Sequence, residues 1–207
     1  MADIRTHKGD ISDAAMALYS GDIAVDTETL GLVPRRDRLC VVQLSPGDGS
    51  ADVIQIAAGQ TRAPNLVALL SDRTKRKLFH YGRFDIAVLF NALDVTSTPV
   101  FCTKIASRLT RTYTDRHGLK DITRELLGVE LSKHQQSSDW AAETLTAAQL
   151  DYAASDVLHL HALTEKLTAR LVRDGREAHA EACFKFLPTR AKLDLLGWGE
   201  TDIFAHS

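Results

Sequence analysis

Short runs rich in Val, Ile and Leu occupy residues 22–27, 39–45 and 51–57. Runs of this kind, divided by turn formers, predict strands. Gly31 to Asp37 and Pro46-Gly47-Asp48-Gly49 supply the divisions, so a three-stranded meander is expected. Its first strand should lie centrally, because the apolar run is nearly continuous. After Pro64 the spacing changes. Leu66, Leu69 and Leu70 predict a short helix starting just past that proline, a favourable early-helix residue. Residues 77–80 predict another strand, and Phe84, Ile86, Val88, Leu89 and Phe90 a helix behind it. Residues 98–102 predict a last short strand, followed by a helix near 103–111.

The remainder carries helical spacing. Leu119, Ile122, Leu126 and Leu127 share one face of a helix over 118–127, which Gly128 is placed to cap. A longer helix is expected over 146–173, with Thr146 as N-cap and Leu150, Ala153, Val157, Leu160, Leu163 and Leu167 on the buried stripe. A further helix over 175–187 should stop near Pro188. Strands first, helices later and one strand–helix–strand passage around 77–105 predict an α/β domain with a mixed sheet flanked by helices.

Composition narrows the classes. A chain of 207 residues with 44% hydrophobic and 25% charged residues is globular and fits one domain. No window approaches the ~18 uninterrupted apolar residues of a membrane span, and the opening residues lack the basic-then-apolar run of a secretory leader. Cys40, Cys102 and Cys183 are not spaced as metal ligands, which suits reduced thiols and a cytoplasmic protein. The formal net charge of −2 argues against a protein that coats nucleic acid electrostatically. It leaves open an enzyme that neutralises phosphate locally with metal ions.

Acidic residues at three places bear on that. In Asp26-Thr27-Glu28, side chains two apart on a strand point to the same face, so the two carboxylates can converge. A solvated strand end would carry the same pair. In His80-Tyr81-Gly82-Arg83-Phe84-Asp85, the aspartate falls in the first turn of a helix, where it could simply complement the helix dipole. In Tyr152-Ala153-Ala154-Ser155-Asp156, the tyrosine and aspartate lie one helical turn apart on one face. Each alone is ordinary, but together they suit phosphodiester hydrolysis. That reaction needs a nucleophilic water near neutral pH and a stabilised leaving oxygen, both supplied by two divalent ions ~3.5–4 Å apart. Mg²⁺ and Mn²⁺ prefer hard oxygen ligands. Asp26, Glu28, Asp85 and Asp156 are the candidate ligands, direct or through water. Tyr152 is the candidate catalytic residue, orienting the attacking water; its phenol is a poor base at an ordinary pKa of ~10.

The ordered set Asp26-x-Glu28, Phe84-Asp85 and Tyr152-x-x-x-Asp156 resembles the DEDD exonuclease superfamily in its tyrosine-containing branch. The flanks are similar to RNase D over roughly residues 20–170. They include His80 to Asp85, Gly118-Leu119, Leu126-Leu127-Gly128, Gln136-Ser137-Ser138-Asp139-Trp140 and Gln149 to Val157. The resemblance implies an RNase H-like fold, two-metal chemistry and release of nucleoside 5′-monophosphates from an RNA 3′ end. RNase D continues into C-terminal helical domains for which this length leaves no room. The short chain is more similar to the nanoRNase C type, which implies a preference for dinucleotides and very short oligoribonucleotides and a homo-octameric ring. Residues 1–190 are then the expected exonuclease domain, with 191–207 as a tail.

Substrate contacts are expected from Thr27 and Phe84 inside the motifs, and from Leu30, which could wedge between bases or pack a loop. His80 is a candidate for substrate phosphate or ribose. In the basic stretch Lys104, Arg108, Arg111, Tyr113, Arg116, His117 and Lys120, most residues suit a solvated surface. Arg108, Arg111 and Tyr113 are its candidates for gripping a 5′-phosphate. Lys133 and Gln136 fall in the family's stretch before Asp139-Trp140, where Trp140 suits packing. Trp198, in the glycine-flanked tail, suits either tail packing or a subunit contact. The alternatives to a dinucleotide-preferring enzyme are general 3′ trimming of longer RNA and, from another class, a non-catalytic nucleic-acid-binding module. The module would leave four acids clustered without purpose.

Overall fold

A computed structural model describes residues 3–132, 135 and 137–206. In chain order the elements are β1 (Asp3–Lys8), α1 (Asp13–Met16), β2 (Ile23–Thr29), β3 (Leu39–Ser45), β4 (Ser50–Gln55), α2 (Pro64–Ser71), β5 (Lys77–Phe79), α3 (Gly82–Leu93), β6 (Val100–Cys102), α4 (Thr103–Thr110), α5 (Leu119–Leu127), α6 (Ala147–Leu158), α7 (Leu160–Arg173) and α8 (Glu177–Leu193). A π-helical turn, Asp194–Trp198, follows. The strands form one six-stranded sheet in the order β1-β4-β3-β2-β5-β6. β2, β3 and β4 are the expected antiparallel meander, and β1, β5 and β6 join in parallel. β2 lies inside the sheet with Ile23, Ala24 and Val25 fully buried. This is an α/β fold of the RNase H-like kind, a mixed sheet flanked by helices.

Three expectations need correction. β1 was not anticipated, because its sequence Asp-Ile-Arg-Thr-His-Lys reads as polar and loop-like. It forms because Asp52 of β4 is fully buried and needs donors. Arg5 donates to it from Nε and a terminal nitrogen at 2.9 and 2.8 Å, Tyr19 donates its hydroxyl at 2.6 Å, and His7 Nε2 lies 2.7 Å away. Removing one partner from such a buried charge cluster strands the others, at a cost of about 3–5 kcal/mol. Asp52→Ala is therefore expected to lower the urea unfolding free energy by about that amount; a loss under 1 kcal/mol would show the cluster to be dispensable.

Second, the long helix expected over 146–173 is two helices that meet at His159. The halves bury different partners: α6 covers β2, β3 and β4, whereas α7 packs on α4 and α5. Third, the last helix does not stop near Pro188 but carries it internally and ends at Leu193. The ~3 kcal/mol that an internal proline costs is offset by packing on both sides of it, where Phe184, Leu187 and Ala191 are buried and α8 lies along α3. Among the described residues no helix is long and apolar enough to cross a membrane.

Candidate active site

β2 carries the first two acids out of the core. Asp26 and Glu28 lie on the face that α6 covers, and Asp156 comes down to them from α6. One carboxylate oxygen from each of the three lies within 4.8 Å of the others. α6 is held at its start by a capping box, in which Thr146 and Gln149 satisfy each other's backbone groups. Gln149 Nε2 also donates to the Asp139 carbonyl at 3.0 Å, tying down the loop before the helix. Trp140 packs beside Tyr152, ring centroids 5.9 Å apart.

Asp85 is the acid that stands apart. Thr27 points to the opposite face of β2, as alternation requires, and its hydroxyl donates to Asp85 Oδ1 at 2.7 Å. Asp85, in the first turn of α3, is almost fully buried and lies outside the group of three. It is still near enough to act on them electrostatically. Burial, then Asp85, Asp156 and Glu28, push the Asp26 carboxyl well above the carboxylate range. Burial with Asp156 and Asp85 pushes Glu28 up to about 9. Asp85 rises to about 7 through burial, opposed by the Thr27 hydrogen bond. Asp156 also rises to about 7, through burial opposed by the Tyr152 hydroxyl. Burial and then Asp156 raise the Tyr152 phenol further above its ordinary value. Like charges crowded out of water in this way call for a cation, and oxygen-only donors suit Mg²⁺ or Mn²⁺.

Asp26, Glu28 and Asp156 line a cleft of about 630 Å³ whose walls include Thr27, Leu30, His80, Phe84, Trp140 and Tyr152. Leu30 is 55% exposed, an apolar side chain standing free in the cleft. The structure does not bring Arg108, Arg111 or Tyr113 to this cleft. Arg108 is exposed on α4. The Arg111 guanidinium is buried and committed to Glu125, with Nε donating at 3.0 Å, and to Ser107 Oγ at 2.9 Å. Tyr113 donates its hydroxyl to the same carboxylate and lines a separate depression with Arg116 and Arg124. Charge in sequence therefore misassigned Arg111, whose neighbours neutralise it before any substrate does. Lys133 and Gln136 lie outside the described residues.

Among the described residues, the cationic groups that line the cleft are Lys104 and Lys120. Both sit in the basic stretch, but nothing in their spacing set them apart from its solvated members. Tyr81 was also missed. It lines the cleft with a positive φ of 69°, and the Lys104 ammonium sits 4.2 Å from its ring centroid. A left-handed conformation at a non-glycine residue marks a position held by its surroundings. Here the next residue is Gly82, where an added Cβ would approach Phe79 Cβ to 2.7 Å.

Residues 4–172 match the family model described as 3′-5′ exonuclease. The chain belongs to the 3′–5′ exonuclease family. Ribonuclease D of Acidiphilium cryptum is 35% identical over 154 residues, which are 74% of this chain and 39% of that protein. Brucella melitensis NrnC matches end to end: 67% identity, TM-score 0.96, 99% of each chain. NrnC has also been solved with bound Mg²⁺ and bound to pGG, each 66% identical to this chain. Escherichia coli RNase D, an exoribonuclease involved in structured RNA processing, is 27% identical, with TM-score 0.78, over 92% of this chain and 50% of its own. The chain thus spans two fifths to a half of the ribonuclease D chains it matches. Within the exonuclease family, the chain is similar to proteins of the ribonuclease D and NrnC type.

Proposed function

We propose that this exonuclease is a two-metal-ion 3′–5′ exoribonuclease that prefers dinucleotides and very short oligoribonucleotides and releases nucleoside 5′-monophosphates. The observation that carries the proposal is the convergence of Asp26, Glu28 and Asp156 within 4.8 Å at a cleft of about 630 Å³, a size suited to engulfing a small ligand. Those three would hold divalent ions, Mg²⁺ or Mn²⁺, with Asp85, positioned by the Thr27 hydroxyl, as the fourth ligand, direct or through water. When bound, the ions supply an activated water near neutral pH and stabilise the leaving oxygen. Tyr152 keeps its proton, because burial and the carboxylates oppose the phenolate, so it orients the attacking water by hydrogen bonding instead of acting as a base. Leu30 wedges against a base. Lys104 and Lys120, which line the same cleft, meet phosphate charge.

The likeness to pGG-bound NrnC over the whole chain supports short substrates. The likeness to ribonuclease D favours a second reading, trimming of longer RNA. Hydrolysis of 5′-phosphorylated RNAs from two to about twenty nucleotides, with Mg²⁺, Mn²⁺ or EDTA and beside Asp26→Ala, decides between them. Fast dimer cleavage with slow cleavage of long strands supports the first, and steady shortening of every length the second. No metal-dependent cleavage at any length removes both and leaves a binding module.

We further propose that residues 191–207 contact a second copy in a homo-oligomer, an octamer by the resemblance to nanoRNase C. α8 runs into this segment, and Arg190 holds it down by donating to the carbonyls of Trp198 and Gly199 at 2.6 and 3.1 Å. The anchored segment leaves Leu196 and Phe204 exposed and Trp198 46% exposed, an apolar patch of the kind that marks an interface. Trp198→Ala is expected to lower the assembly mass measured by light scattering. Unchanged mass and activity would rule the contact out.

A further inference from the structure

We infer that His80 reads a sugar hydroxyl of the substrate and is unable to serve as a phosphate contact. The inference rests on the exoribonuclease proposal and deepens it. Thr103, fully buried at the start of α4, lies 2.9 Å from His80 Nδ1 and donates its single hydroxyl proton to the Phe79 carbonyl at 3.2 Å. A hydroxyl that spends its proton on a carbonyl can only accept from the imidazole. Nδ1 therefore carries the hydrogen and Nε2 the lone pair. The opposite tautomer would set the Thr103 oxygen against the Phe79 carbonyl with no proton between them. His80 lines the cleft, and Nε2 has no partner among the described residues.

The imidazole also stays neutral. Burial, then Lys104 and His117, bring it down to about 3. A neutral ring presenting only a lone pair repels phosphate oxygens, which are acceptors themselves. It demands a donor, and the donors on a ribose are its hydroxyls. The 2′-hydroxyl is the group by which a protein tells RNA from DNA at a given position, and the 3′-hydroxyl is common to both. The phosphate falls instead to Lys104, which shares the wall.

The test is a cycle between protein and substrate. The kcat/KM of the wild type and of His80→Phe is measured on a 5′-phosphorylated ribodinucleotide and on analogues lacking one 2′-hydroxyl or the terminal 3′-hydroxyl. His80→Phe is expected to lose about tenfold on the ribodinucleotide, the size of one good hydrogen bond, and to lose nothing further on one of the deoxy analogues. Which analogue it is names the hydroxyl. Thr103→Val, which touches no substrate but frees the imidazole to change tautomer, should lose part of the same coupling, and Thr103→Ser should keep it. Additive losses on every analogue, in variants whose thermal unfolding matches the wild type, would overturn the inference. A wild-type chain that cuts no dinucleotide at all would overturn the proposed function instead.

Discussion

Asp26→Asn is expected to cut dinucleotide hydrolysis at saturating Mg²⁺ by about 10³-fold or more, since the metals contribute several kcal/mol of barrier lowering. Asp26 is the most constrained of the acids: burial and the three other carboxylates all bear on it. An asparagine of the same shape keeps the packing and removes the charge that holds a cation. On the proposed role of Tyr152, Tyr152→Phe is expected to leave the carboxylates in place and lose the orientation of water, a change worth about 10²-fold. Thr27→Val should cost less again, because it removes only the hydroxyl that now holds Asp85. The order of the three effects is the prediction, and single-turnover rates with calorimetric Mg²⁺ titrations measure it. An Asp26→Asn enzyme within tenfold of wild type would sink the metal assignment.

The fourth acid shows where sequence stops being informative. Spacing two apart put Asp26 and Glu28 on one face, and spacing four apart put Tyr152 and Asp156 on one turn; both pairings hold because the period of an element is a local property. Asp85 has no such tie. Its distance from the others depends on how α3 docks and on which way Thr27 points, and both are tertiary facts. The same distinction explains the basic stretch. Arg111 and Lys104 look alike in sequence, but Glu125, fourteen residues after Arg111, claims the arginine, while Lys104 lies over the ring of Tyr81 at the cleft.

Element boundaries followed the same rule. The meander, the Pro64 start of α2 and the Gly128 cap at a φ of 72° were legible from residues within one turn of each boundary. β1 was illegible because its partner is a buried aspartate more than forty residues away. The break at His159 was hidden because the apolar stripe continues through it, from Val157 and Leu160 to Leu163, all of them buried. The change of partner is what bends the chain there.

Without metal, the protein is expected to lose stability as the pH rises from 5 to 9, its melting temperature falling by roughly 10 °C. The sign follows from the direction of the shifts. In the unfolded chain the four carboxyls lose their protons near pH 4. In the folded chain Asp85 and Asp156 keep theirs to about 7 and Glu28 to about 9. Between those limits the folded state binds more protons, so its advantage is complete below about pH 4 and drains away as pH rises through the folded values. Mg²⁺ is expected to reverse the trend by taking the place of those protons. Its stabilisation should be small at pH 5.5, where protons compete, and large at pH 8. Asp156→Asn, one charge fewer at the same site, should melt higher than wild type in EDTA above pH 7 while gaining less from Mg²⁺, the usual exchange of function for stability. Melting curves in EDTA and in Mg²⁺ across this range check all three statements. A flat EDTA profile together with a Mg²⁺ response independent of pH would mean that the carboxylates are not crowded as described, and the case for a cation at the site would go with them.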